Sequence, residues 1–263
     1  MKQRTAISLS LDKHQKTALL EHSIWSYENI PNEELDQLFS NLEIPKIIPI
    51  RPSPIQRNED VQPFMCGINS VDSLISPFLG GCLTEICGLP GSGRTTLCLR
   101  YAQQLNPNYR TLWIDTEGCI VPPNGLSLPV IRIHDHIQFF ALTHCLPAII
   151  SNVQPRLIVV DSIAATMRGE AANEAQSRTS LLWEFAKVLK RIASETGCAV
   201  LVTNHMSFMQ YHGFIRTLGQ SWANAPTHCF EVKKSGSGTR TLRVLKSPCL
   251  PRIDIEMLPT EGQ

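Results

Sequence analysis

The residues Gly88-Leu89-Pro90-Gly91-Ser92-Gly93-Arg94-Thr95 carry the strongest chemical signal in this chain. Glycines at this spacing let successive backbone N–H groups turn toward a phosphate, and a helix opening after them adds its partial positive charge. The hydroxyl of Thr95, followed by Thr96, is placed to reach a Mg²⁺ ion. A phosphate-binding loop of this kind carries Lys where Arg94 stands. Arg keeps the charge but presents a bulkier planar fork than an ammonium, so the motif predicts phosphate binding that survives better than turnover. The alternative is a glycine-rich turn with no ligand. The flanking segments, CLTEICG as a strand and TTLCLRYAQQL as a helix, weigh against it.

Carboxylates fall where such a site needs them. Asp161 ends the apolar run LIVVD, the position from which Mg²⁺ is held through water; a purely structural cap is the other reading. In WIDTEG, Glu117 reaches the carboxyl edge of the sheet, where it could orient and deprotonate an attacking water. Asp115, two residues away and on the same side, is its rival or the residue that shapes the turn. Asn204 and His205 end CAVLVTNH at the same edge and are candidates to sense a terminal phosphate, with a hydrogen-bonded structural histidine as the alternative for His205.

The elements that must position these groups are legible from Pro63 onward. Short apolar runs alternate with helical patterns: RTLWIDTEG and VIRIHDH as strands, IQFFALTHCL as a helix, LIVVDS as a strand. Leu181, Leu182, Phe185, Val188, Leu189 and Ile192 follow at helical spacing, then CAVLVTNH as a strand. Strands without polar alternation, separated by helices, predict an α/β fold with a parallel sheet covered on both faces. HCFEVKK, TRTLRVLK and PRIDIEML alternate with period two and predict antiparallel strands at the sheet edge. Before residue 60, two short helical patterns (Lys13–Trp25 and Asn32–Leu42) precede IPKIIPIRPSPIQRNED, whose four prolines mark an extended linker and a domain boundary. The division is therefore 1–60 as a helical segment plus linker, and 61–263 as the core.

Composition removes several classes. The formal charge of +1 leaves no global field toward nucleic acid or membrane, and no apolar run approaches the ~20 residues of a membrane helix. Nine cysteines without a CxxC pair argue against a zinc cage, and Cys87, Cys98 and Cys198 sit in apolar runs as reduced core thiols of an intracellular protein.

The segments CGINSVDSLI, TEICGLPGSGRTT, WIDTEG, LIVVDS, ETGCAVLVTNH, LGQSWANA and KSPCLP, in this order, resemble the RecA-type recombinase core, in particular the eukaryotic recombinase and its paralogues. The resemblance runs from about Cys66 to Gly262, and TEICG and GQSWANA look most like the C-type paralogue. It implies a RecA-like core with ATP and Mg²⁺ as ligands. Arg94, Thr95 and Asp161 take the phosphate and Mg²⁺ positions, Glu117 the catalytic glutamate, and His205 the position of a glutamine that links nucleotide to the DNA loops. Met167–Arg178 matches the first DNA loop, with Arg168 and Arg178 as its cations and Glu170 and Glu174 diluting them. Ser207–Leu218 matches the second, where Phe208, Tyr211 and Phe214 offer rings for stacking on bases and Arg216 a cation for phosphate; packing against a partner protein is the other reading. Lys233, Lys234, Arg240 and Arg243 read by default as a solvated edge. Lys246 stands where the recombinase has an aspartate facing the neighbouring subunit's ATP, so it is either a trans-capping cation or a solvent-exposed lysine.

Three departures qualify the resemblance. The segment between Glu117 and Ile131 is short, the first 60 residues are too few for a helix-hairpin-helix domain, and no Phe-x-x-Ala assembly motif is visible. The expectation is thus a nuclear, ATP-binding accessory of homologous recombination and double-strand break repair, mitotic or meiotic. It would bind single-stranded DNA weakly and join a recombinase or paralogue in a hetero-oligomer, with weak DNA-dependent ATPase activity at most. The rivals are an autonomous DNA-dependent ATPase and strand-exchange recombinase, a P-loop small-molecule kinase, and an interaction module that binds no nucleotide.

Overall fold

A computed structural model describes residues 64–105, 110–123, 126, 128–165, 175–209 and 213–257. Both N-terminal helical patterns, the proline-rich linker and the expected boundary near residue 60 lie outside the described residues. A short helix α1 (Asn69–Asp72) and a 3-10 turn (Ser76–Phe78) lead into β1 (Leu83–Gly88) and α2 (Arg94–Gln104). β2 (Thr111–Asp115), β3 (Val130–Arg132), α3 (His136–Val153), β4 (Leu157–Asp161) and α4 (Ala175–Thr196) follow. Then come β5 (Ala199–Met209), β6 (Gly213–Arg216), α5 (Gly219–Ala223), β7 (His228–Lys234), β8 (Arg240–Lys246) and β9 (Asp254–Glu256).

The sheet runs β3-β2-β4-β5-β1-β7-β8-β9, and β6 pairs with the far end of β5. Pairings from β3 across to β7 are parallel; β7–β8 and β8–β9 are antiparallel. The apolar strands lack alternation because both faces are covered. Leu112 and Ile114, Ile158 and Val160, and Val200 and Val202 pack into one core with Phe139 of α3 and Phe185 of α4. The intervening Trp113, Val159 and Leu201 pack into the other, with Leu97 and Tyr101 of α2. Each strand thus feeds two cores by its period of two.

Two strand boundaries are among those that differ from the sequence reading. The strand expected over VIRIHDH stops at Arg132, because the Asp135 carboxylate accepts hydrogen bonds from Ile137 N and Gln138 N and caps α3. The segment expected as an aperiodic second loop is a β-ribbon: β5 continues to Met209 and pairs antiparallel with β6, setting Phe208 opposite Phe214 and Met206 opposite Arg216. The ladder hydrogen bonds fix that segment where side-chain periodicity gives no signal. No helix among the described residues is long and apolar enough to cross a membrane, and all nine cysteines are free thiols.

Candidate functional site

The carboxyl ends of β1, β2, β4 and β5 bring the sequence-predicted groups to one edge. Gly88 pairs with His205, and Asp115 with Asp161. From Gly88 the chain turns through exposed Leu89, Pro90 and Gly91 and buried Ser92 into α2. Gly91 (φ 73°) and Gly93 (φ 106°) occupy the left-handed region that favours glycine. At Gly88 the constraint is space: a Cβ would stand 2.5 Å from the Val232 carbonyl oxygen. Arg240 braces the loop from β8, its Nε donating to Ser92 O at 3.0 Å. The loop therefore opens a helix at its N-cap Gly93, the end of a helix that favours anions.

Behind the loop, Thr95 Oγ1 donates to Asp161 Oδ2 at 2.8 Å, and Thr203 Oγ1 donates to Asp161 Oδ1 at 2.5 Å. Burial raises the Asp161 pKa from its ordinary value, although both hydroxyls act in the opposite direction. A hydroxyl and a carboxylate side by side are hard oxygen donors, a set that suits Mg²⁺ with retained waters. The residues present thus fit a Mg²⁺-bound phosphate chain. Thr96 is exposed on the first turn of α2.

Arg94 departs from a simple phosphate clamp. Its Nη1 donates to Gly88 O and to Asn204 O, each at 2.7 Å, and burial lowers its pKa against the pull of Asp161 and Glu117. The fork lies across the base of the loop, and a phosphate would compete with two carbonyls for it.

Asp115 shapes the turn after β2: its Oδ1 accepts from Glu117 N (3.1 Å) and Gly118 N (2.8 Å), and its Oδ2 from Ile120 N (3.3 Å). Glu117 is the carboxylate that faces the edge. Its Oε1 accepts from Ser162 Oγ at 2.5 Å and lies 2.6 Å from His205 Nε2. His205 Nδ1 is 3.4 Å from Arg94 Nη2. A guanidinium only donates, so Nδ1 accepts and Nε2–H is assigned to Glu117.

Asn204 corrects the sequence reading. Its side chain turns away from the phosphate edge: Nδ2 donates to Glu85 Oε1 at 2.7 Å, and Oδ1 accepts from Thr217 Oγ1 at 2.9 Å. Asn204 is fully buried, so only its backbone carbonyl meets the loop.

Arg216, expected as a cation for DNA phosphate, pairs through Nη1 with Glu85 Oε2 at 2.6 Å. Burial alone would lower its pKa, but the facing carboxylate outweighs this and holds it above the ordinary value. Phe208, by contrast, stands 68 % exposed on the ribbon, and Phe214 lies opposite it in β6. Tyr211 and Arg168 lie outside the described residues, while Arg178 belongs to α4, which begins at Ala175 inside the segment expected as the first loop.

The Rad51 family model matches residues 56–261. The chain belongs to the Rad51 family. It is 30 % identical to a Bos taurus protein named DNA repair protein RAD51 homolog 4 over 218 aligned positions, covering 70 % of this chain and 67 % of the relative. The Mus musculus protein of the same name is 30 % identical over 239 positions, covering 75 % and 72 %. A Cricetulus griseus protein named DNA repair protein RAD51 homolog 3 is 25 % identical over 207 positions, covering 59 % and 56 %. These relatives span two paralogues, so they establish the family and not the subgroup. The mostly parallel sheet with its antiparallel edge is the RecA-like core of that family.

In this Rad51-family chain Lys246 has an intramolecular place. Its Nζ donates to the carbonyls of Ala223 (3.3 Å), Asn224 (3.4 Å) and Pro226 (2.8 Å), just after α5. Its pKa is lowered, first by burial and then by Lys190. Three carbonyl acceptors within its own chain engage the half-buried Lys246, which corrects its reading as a solvent-exposed lysine. Of the β7–β8 cations, Lys233 meets Glu231 at 3.4 Å, Arg243 forks onto Asp254 at 2.6 and 2.7 Å, and Arg240 serves the loop. The edge they occupy borders an open cavity of about 1120 Å³ between the loop, the ribbon and β7, lined in part by Leu89, Met206, Ile215 and Lys233. Sequence reasoning missed Glu85, Ser162 and the bracing by Arg240. Glu85 had a usable signal: a carboxylate in the middle of an otherwise buried strand must find a partner.

Proposed function

We propose that this chain is an ATP-binding accessory of recombinational DNA repair that binds nucleotide well and turns it over slowly. The observation that supports this most is the state of Glu117. The Thr95–Asp161 pair and the loop are arranged for a Mg²⁺-bound triphosphate, while the carboxylate that would activate water is held between Ser162 and His205. A carboxylate oxygen engaged by two neighbours is less available to accept a hydrogen bond from an attacking water. Mg²⁺, when bound, neutralises phosphate charge. Thr95 and Asp161 would hold the ion and the loop's backbone N–H groups would take the phosphates, with Glu117 kept in reserve by Ser162 and His205.

The ribbon, with Phe208 at its outer part, gives the accessory a surface for weak stacking on single-stranded DNA. Its partner on this reading is a recombinase or a second paralogue, in the nucleus. Relatives named as DNA repair proteins support the recombination setting. The test is binding of a labelled non-hydrolysable ATP analogue with and without Mg²⁺, alongside phosphate release with and without single-stranded DNA. Mg²⁺-dependent binding, lost in Thr95→Ala, with little phosphate release is the expected result. Brisk DNA-stimulated release would favour the autonomous recombinase, and absence of nucleotide binding would favour a pure interaction module.

A further inference from the structure

Glu85 is the deepest charge at this edge: 0 % exposed, in the middle of β1, the strand that carries the phosphate loop. Its carboxylate accepts from Asn204 Nδ2 (2.7 Å), Cys229 Sγ (3.2 Å) and Arg216 Nη1 (2.6 Å). Only Arg216 among these supplies a countercharge, and it enters from the base of the ribbon, opposite Met206. A buried carboxylate that loses its cation is left uncompensated, so the pair anchors the ribbon base to β1.

The network continues to the loop. Asn204 touches three parties: Glu85 through Nδ2, Thr217 through Oδ1, and Arg94 through its main-chain carbonyl. Thr217, the first residue after β6, is thus bonded directly to the residue that accepts from Arg94, and Arg216, the last of β6, is linked to it through Glu85. A phosphate oxygen is a stronger acceptor for a guanidinium than a carbonyl. A triphosphate in the loop would therefore draw Arg94 off Asn204 O. The carbonyl must then repartner, and its residue carries the side-chain bonds to Glu85 and Thr217.

We propose that Arg216 is a positioning residue that couples the phosphate loop to the DNA-facing ribbon through Glu85 and Asn204, an inference that rests on the nucleotide- and DNA-binding reading above. Arg216 does not contact DNA; it sets the ribbon's orientation according to the state of Arg94.

The test uses the full chain, its Glu85→Gln/Arg216→Met double variant and Arg216→Lys. The double variant removes both charges together, so neither is left buried and unpaired. Three quantities are measured: affinity for the Mg²⁺–ATP analogue, amide hydrogen exchange over residues 205–217 with and without it, and single-stranded DNA affinity with the analogue against ADP. In the wild type, the analogue is expected to alter exchange in the ribbon and to change DNA affinity by roughly fivefold or more, the lower end of usual coupling. In the double variant, nucleotide affinity should persist while both responses vanish, and Arg216→Lys should restore part of them.

Retention of the wild-type responses in the double variant would overturn the proposal. So would a uniform fall in DNA affinity with the nucleotide dependence intact, which would make Arg216 a direct DNA contact. A wild type that binds the analogue with no change in ribbon exchange overturns the coupling and leaves the nucleotide reading standing. A wild type that binds no nucleotide overturns both.

Discussion

At the phosphate edge the main chain does the positioning; in the ribbon, side chains do it. Gly88, Gly91 and Gly93 shape the loop through φ values and close backbone approach, with Val232 O and Arg240 packed against them. Among the described residues the ribbon is a two-stranded extension with no third strand. Two strands alone are marginal in water, so its base leans on the pair of half-buried Arg216 with fully buried Glu85. The contrast teaches that the two regions fail differently: the loop through a single added carbon, the ribbon through a single lost charge.

The largest expected effect on folding tests the ribbon. Arg216→Met leaves Glu85 charged and buried, and should cost about 3–5 kcal/mol in denaturant unfolding. Adding Glu85→Gln should recover much of that loss. Equal stability of the single and double variants would mean that the pair does not anchor the ribbon.

Gly88→Ala tests the loop next. Its methyl would meet a backbone oxygen of β7 that cannot swing aside, so a loss of about 1–3 kcal/mol is expected. Nucleotide binding should fall with it, read by calorimetric titration, because the same shift displaces the N–H groups of the loop.

Asp161→Asn separates stability from ligand binding at that edge. The Asp161 pKa is raised in the folded protein by burial, so the native state holds this proton more tightly than the unfolded chain does. Its contribution to stability is present below the ordinary carboxylate pKa and is lost as pH rises through the raised value. At neutral pH the ionised group opposes folding, and Asn should leave the protein as stable or more so. That advantage should disappear in acid unfolding experiments, while Mg²⁺-dependent nucleotide affinity falls at neutral pH.

Phe208→Ala should change stability least, within about 0.5 kcal/mol, because the ring is largely in solvent. Its effect belongs to binding: single-stranded DNA affinity should weaken by about 1–3 kcal/mol if the ring stacks on a base. An unchanged fluorescence-anisotropy titration would assign the ring to a protein partner.

The phosphate edge was legible because backbone chemistry leaves a sequence trace. Only glycine takes certain φ values or admits a carbonyl at 2.5 Å, so the spacing Gly88-x-x-x-x-Gly93-Arg94-Thr95 and the strand-end Asp161 could be read directly. The directions of Arg216, Asn204 and Lys246 could not. A cation beside aromatic residues reads as a DNA contact until the burial of Glu85, 131 residues away in the chain, gives it another partner.

The sequence by itself determined which strands would be buried on both faces, their division into a parallel core and an antiparallel edge, and the loop that opens α2. Continuous apolar runs and glycine spacing are local properties, and local properties survive in a linear string. Tertiary structure alone decided that Glu117 lies between Ser162 and His205, that Asn204 serves the sheet, and that Lys246 donates to the carbonyls that follow α5. Each of those outcomes depends on groups far apart in the chain meeting at hydrogen-bond distance, and only the packing of the sheet sets those distances.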